Sequence, residues 1–198
     1  PRPAQSRLMP LGRDIWAFVH HPLALVEYDK FAKGGEGKAI LCLDMGRDTG
    51  MALLHRDGTV GHDLLKFPKT VHPGQSYNLF RLALTRINKS AGGIDQVVYE
   101  EKTYNRTSLQ NARVAFSFEG NLLSWCALHK IPTFGVHNQR LKKFITGKGR
   151  ADKEQMIFMV RQMGFNPQDH NVADAIALLT YYLETSYARR PDIEAGKG

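Results

Sequence analysis

Ala39-Ile40-Leu41-Cys42-Leu43-Asp44-Met45-Gly46 is the stretch on which the fold turns: an unbroken apolar run that stops on a carboxylate. A short continuous apolar run is the pattern of a strand covered on both faces, where neither side meets water and no alternation with polar residues is needed. Downstream, residues 51–55 and 61–67 flank Asp57-Gly58, a dipeptide that readily takes the positive φ angles of a tight hairpin turn. Three consecutive antiparallel strands are therefore predicted. Residues 77–89 carry Leu79, Phe80, Ala83, Leu84 and Ile87 at helical spacing, and Gly92-Gly93 then breaks the chain. A second apolar strand follows over residues 96–99 and also ends on acids, Glu100 and Glu101.

Beyond it, Ser108 is placed to cap a helix running to about Lys130, with Leu109, Ala112, Phe116, Leu123 and Ala127 along one stripe. A short strand over 131–136 comes next. Asp152 is placed to cap a helix carrying Met156, Ile157, Val160 and Met163, for which Gly164 supplies a left-handed stop. Residues 169–183 read as the last helix. This order predicts an α/β domain: a mixed five-stranded sheet, its first three strands antiparallel and the rest parallel, with helices on both faces. Residues 38–185 form that domain, 1–37 read as an N-terminal extension of unassigned role, and 186–198 as a flexible C-terminal tail.

The 198 residues suffice for one core of ordinary size. No apolar run approaches the roughly 20 residues that cross a bilayer, and no secretion pattern is visible, so a cytoplasmic protein without a membrane partner is expected. Cys42 and Cys126 lie in apolar segments without metal-site spacing and read as buried thiols. The net charge of +8 fits a polyanionic partner.

Three carboxylates can be brought together by this order of elements: Asp44 after the first strand, Glu100 after the fourth, and Asp174 near the start of the last helix. If the first and fourth strands are parallel neighbours, both C-terminal ends open on the sheet edge where α/β folds usually place their sites. Strand alternation lets only one of Glu100 and Glu101 face that site, and Glu100 is the choice. Asp174, within Val172-Ala173-Asp174-Ala175-Ile176-Ala177, has surroundings too apolar for a solvated helix face. Clustered acids suit hard divalent cations, and two such ions support phosphodiester hydrolysis.

Leu43-Asp44-Met45-Gly46 with Thr49-Gly50, then Tyr99-Glu100, then Thr146-Gly147-Lys148-Gly149-Arg150-Ala151-Asp152-Lys153, then Ala173-Asp174-Ala175 resemble, in order and spacing, the RuvC-type Holliday junction resolvases of the RNase H-like superfamily. The likeness covers about residues 39–183, and Asp169-His170-Asn171-Val172-Ala173-Asp174-Ala175 is most similar to phage-type members. It implies a homodimer that binds four-way branched DNA and makes paired symmetric nicks with two Mg²⁺ ions per site, Mn²⁺ substituting, and with no nucleotide cofactor. It further implies that Asp44, Glu100 and Asp174 are metal-binding and catalytic, and that Lys153 lies near the scissile phosphate. The family's fourth ligand falls at Asn171, a departure from the usual acid or His. His170 and Asn171 precede Asp174 by four and three residues, so either can share its helix face.

Arg140, Lys142, Lys143, Lys148, Arg150 and Lys153 gather around Gly147 and Gly149, and a flexible cationic loop of this kind is expected to meet DNA phosphates. After Glu100, Tyr104 and Arg106 lie in a polar loop where an aromatic ring can stack on parted bases. The helix over 108–130 matches the element through which the family dimerises, with Ala112, Ala115, Phe116 and Leu122 facing either a second copy or the chain's own core.

Other readings compete. Asp44-Met45-Gly46 and Thr49-Gly50 also resemble the first phosphate loop of actin-like and sugar kinases, which need two such domains where this chain has one. A non-catalytic junction-binding protein would have lost one of the three acids, and all are present. A nuclease of the same fold acting on flaps, other branched DNA or RNA–DNA hybrids stays open, because such enzymes read shape and backbone.

Overall fold

The computed structural model describes residues 19–21, 37–69, 72–102 and 109–187 of the chain. In order, the elements are β1 (Val19–His21), β2 (Ile40–Asp44), β3 (Asp48–Leu54), β4 (Val60–Lys66), α1 (Pro73–Ser90), β5 (Gln96–Glu101), α2 (Leu109–Leu128), β6 (Thr133–His137), α3 (Asn138–Thr146), α4 (Lys153–Gln162) and α5 (His170–Tyr187). The sheet runs β1-β4-β3-β2-β5-β6. β2, β3 and β4 form the expected antiparallel meander, and β5 and β6 extend it in parallel from β2. The mixed sheet predicted from the sequence is thus β2 to β6. A sixth strand comes from within the 1–37 extension: β1 pairs antiparallel with β4 and covers backbone groups that would otherwise form an open edge. Of the expected tail over 186–198, the first two residues belong to α5, which runs to Tyr187, and residues 188–198 lie outside the described residues.

Alternation along the strands divides the core. Leu41, Leu43, Met51, Leu53, Val97 and Tyr99 face α1 and α2, whereas Ile40, Cys42, Ala52, Leu54 and Val98 face α3, α4 and α5. Each fully buried aliphatic or aromatic side chain contributes about 1.5–3 kcal/mol to holding these layers. Both cysteines are buried free thiols, and burial pushes the Cys126 thiol up to about 12. Gly58, at φ 84°, makes the β3–β4 turn. Asp152 accepts from the Gln155 amide while the Gln155 side chain reaches back to the Asp152 amide, so α4 opens on a full capping box.

Two expectations are corrected. The segment read as a flexible cationic loop contains a helix, α3, because Leu141 and Ile145 form an apolar pair at i, i+4 that buries against the sheet, and Gly147 ends it at φ 73°. On α2, the expected stripe is mostly the outer face: Leu109, Phe116 and Leu123 are 67%, 44% and 36% exposed. α2 is apolar on more than one side, and the face carrying the bulkier Phe118 and Trp125, with Leu122 and Cys126, takes the core. Trp125 Nε1 donates to Thr85 Oγ1 at 3.0 Å, tying α2 to α1. Ala112 and Leu122 therefore belong to the chain's own core, leaving Phe116 outward.

The last helix crosses β3 and β2 at very close range. A Cβ placed on Gly50 would stand 1.9 Å from the Asn171 carbonyl oxygen, so only glycine admits the start of α5 here. Thr49, fully buried, donates to the Gly46 carbonyl at 2.7 Å and accepts from the Gly46 amide at 3.2 Å, which closes the β2–β3 turn beside that approach. Gly50→Ala must push α5 off the sheet and is expected to cost about 3 kcal/mol or more, read as a lowered midpoint in denaturant unfolding. An unchanged midpoint would show that helix and strand are not so close.

Candidate active site

In the parallel pairing of β2 with β5, Leu43 lies opposite Tyr99. The next residue on each strand is an acid, so Asp44 and Glu100 emerge side by side at the same sheet edge. They share the parity of Cys42 and Val98 and therefore face α5, on which Asp174 sits one turn from the N-terminus. Carboxylate oxygens of Asp44, Glu100 and Asp174 all lie within 4.8 Å of one another. Glu101, of opposite parity, is exposed, as strand alternation requires.

Asp174 and Glu100 are held where their charge is costly. Burial pushes the Asp174 carboxyl up to about 8, and the charges of Asp44 and Glu100 push the same way against Lys142 and Lys102. Burial also raises Glu100, reinforced by Asp44, while Lys102, a hydrogen bond from Asn138 and Lys142 pull it down. Among the described residues, Asp174 Oδ1 is buried without a hydrogen-bond partner. A buried, unpaired carboxylate oxygen facing two other acids is the signature of a site completed by a cation, and an all-oxygen donor set fits a hard divalent ion.

One cation of the chain itself enters this cluster. Lys102 Nζ lies 2.6 Å from Asp44 Oδ1 and 3.7 Å from Glu100 Oε1, with its side chain 15% exposed. Burial works to lower the Lys102 ammonium, but Asp44 and Glu100 outweigh it and the net shift is upward. The sequence reading missed this residue, although its place two positions after Glu100 puts it on the same side of the strand. It also missed Asn138, whose position on the first turn of α3 was hidden while that segment read as a loop.

The remaining expected residues divide. Lys142, on the first half of α3, acts electrostatically on both Glu100 and Asp174 and so belongs to the site's surroundings. Arg140 and Lys143 are exposed on the same helix, Lys148 and Arg150 on the following turn, and Lys153 opens α4. Lys153 Nζ lies 2.9 Å from His170 Nε2. Asn171 Nδ2 donates to Asp169 Oδ2 at 3.2 Å, and Asp169 Oδ1 accepts from the Val172 backbone amide at 3.0 Å, capping α5. Thus, of the two candidates for a fourth contact, His170 meets Lys153 and Asn171 meets Asp169. Tyr104 and Arg106 lie outside the described residues, as does the expected cap Ser108.

A mixed sheet of this order, with acids at the ends of its two central parallel-paired strands and a third on the helix across them, has the RNase H-like fold. The family model described as "Crossover junction endodeoxyribonuclease RuvC" matches residues 81–181, and the chain belongs to that family. Among curated relatives, RuvC of Wolbachia sp. subsp. Brugia malayi is 47% identical over 51 residues, 24% of this chain and 32% of that protein. RuvC of Pelodictyon phaeoclathratiforme is 27% identical over 173 residues, 80% of this chain and 86% of that protein. Among solved structures, T. thermophilus RuvC in complex with Holliday junction substrate aligns with TM-score 0.63 and 19% identity, over 77% of this chain and 95% of that one.

The raised Asp174 gives the metal-free protein a pH signature. A carboxyl moved from 3.8 to about 8 favours its protonated form in the fold, so its stabilising share is complete below 3.8 and is lost as pH rises to about 8. In EDTA, wild type is therefore expected to lose melting temperature across that window relative to Asp174→Asn. Parallel melting curves for the two proteins would remove the burden from this carboxyl.

Proposed function

We propose that the chain is a structure-specific endonuclease that resolves four-way DNA junctions by paired symmetric nicks. The carrying observation is the convergence of Asp44, Glu100 and Asp174 oxygens within 4.8 Å in a chain of the RuvC family. The solved relative bound to a Holliday junction substrate supports branched DNA as the partner.

Asp44, Glu100 and Asp174 would hold Mg²⁺, two ions per site, with Mn²⁺ as a substitute. When bound, such ions acidify an attacking water and stabilise a departing 3′ oxygen. The chain's own part is to fix the carboxylates on two strands and one helix, so that little reorganisation remains for the reaction. Arg140, Lys142 and Lys143 on α3, Lys148 and Arg150 on the turn, and Lys153 at the start of α4 form a cationic approach to that edge, drawing the phosphodiester backbone toward the acids. Lys153 is assigned to the phosphate nearest the reaction, its ammonium oriented by His170. His170 and Asn171 remain the two side chains from which a fourth metal contact would come. Tyr104 stacks on bases at the junction centre in this reading, and Arg106 joins the phosphate contacts.

Symmetric cutting calls for two sites related by a twofold axis. The outward face of α2, where Leu109, Phe116 and Leu123 recur at seven-residue intervals, supports a homodimer through that helix. Among the described residues no helix is long and apolar enough to cross a membrane, and the proposed setting is a cytoplasm that contains DNA.

The direct test is incubation with Mg²⁺ or Mn²⁺ on a labelled immobile four-way junction beside duplex, flap and RNA–DNA hybrid substrates. Paired nicks confined to the junction are expected, whereas cutting of flaps or hybrids alone would overturn the substrate and keep the fold. Asp44→Asn is expected to lower cleavage by about a thousandfold or more while junction binding in Ca²⁺ survives. Undiminished cutting would take Asp44 out of the site. Replacing Lys148 and Lys153 together by Ala should weaken junction binding and reduce the slope of log affinity against log salt by about 2. An unchanged slope would show that neither ammonium meets phosphate.

A further inference from the structure

From the position of Lys102 we infer that this lysine is a tethered counter-cation of the metal-free site: it holds the acids assembled and must yield before a divalent ion can enter. The inference rests on the metal-site reading of Asp44, Glu100 and Asp174. Its ammonium lies 2.6 Å from Asp44 Oδ1 and 3.7 Å from Glu100 Oε1, between the two strand-borne acids. Three carboxylates with oxygens within 4.8 Å repel one another strongly when nothing positive stands among them. Lys102 relieves part of that repulsion and leaves part standing, since Asp174 Oδ1 keeps no hydrogen-bond partner among the described residues.

The same geometry makes Lys102 a competitor. An ammonium in direct contact with Asp44 occupies the space and the lone pairs that a divalent ion needs, and its positive charge repels that ion. Lysine suits a role that requires departure, because its point charge rides on a flexible four-carbon stem, whereas an arginine fork would lock onto the carboxylate. Lys102 follows directly on β5, which ends at Glu101, so the side chain can swing while its root stays fixed. A DNA phosphate at the site offers the ammonium another partner. Metal entry and DNA binding are then positively coupled, each easing the other through displacement of one side chain.

The test uses Mn²⁺ as the probe, without DNA, so that no cleavage is involved. Affinity and stoichiometry are read by calorimetry and by electron paramagnetic resonance of free Mn²⁺, for wild type, Lys102→Met, Lys102→Gln and Lys102→Arg. Both neutral variants are expected to bind Mn²⁺ about tenfold tighter than wild type, and Lys102→Arg no tighter. In EDTA the neutral variants should melt below wild type, and added Mn²⁺ should raise their melting temperatures by more. If wild type binds Mn²⁺ and the neutral variants bind it equally or more weakly, the role given to Lys102 is overturned while the metal site stands. If no protein of the set binds Mn²⁺ stoichiometrically, the metal-site reading fails and the inference with it.

Discussion

The structure depends first on the parallel pairing of β2 with β5. That pairing is fastened at its start: the Ala39 amide donates to Asp95 Oδ2 at 2.8 Å, and Asp95 pairs with Arg56 at the same distance. Arg56 also donates to the Gly93 carbonyl at 3.1 Å, so the end of β3 and the approach to β5 are bound by one side chain. With the start fixed, hydrogen-bond register carries the alignment along the strands until Leu43 faces Tyr99. The acids follow at once. A slip of one residue would turn Asp44 or Glu100 to the opposite face of the sheet, away from α5.

Bringing the third acid to this edge makes a second demand. Asp174 lies on a helix whose neighbouring residues are almost all buried, so its carboxylate reaches the others only if the whole helix is pressed onto β3 and β2. Gly50 makes that approach possible, and the apolar contacts of Val172, Ala173, Ala175 and Ile176 supply the attraction that opposes carboxylate repulsion. The core and the site are thus in tension: the packing that stabilises the layers also forces like charges together. Sites of this kind are kept at a local cost that the rest of the fold offsets.

The sequence made the sheet and the acid triad legible because both follow from periodicity and position along a strand. Apolar runs ending on Asp44 and Glu100, the Asp57-Gly58 turn and the Asp152 cap are local signals, and each marks a feature present in the structure. Features set by competition were harder to read. α2 carries two apolar faces, and only the packed molecule decides that Phe118 and Trp125 go inward while Phe116 stays out. α3 was concealed by its cations, although Leu141 and Ile145 carry its helical period. β1 has no pattern of its own strong enough to announce it, since it is a three-residue edge strand set by β4. Lys102 carries no sequence signal of its own, and only its distances to Asp44 and Glu100 place it among the acids.

The two edges of the sheet have separate duties. Asp95 precedes β5, and Glu100 stands about 16 Å further along it at the usual strand rise. β3 runs antiparallel to β2, so the Asp57-Gly58 turn that follows it opens at the Asp95 edge, far from the carboxylates. Chain length at that turn is consequently uncoupled from chemistry: an insertion there lengthens a hairpin tip without displacing a ligand oxygen. The molecule therefore has one rim on which evolution can experiment and one on which it cannot, and the boundary between them is a hydrogen-bond register rather than a domain border.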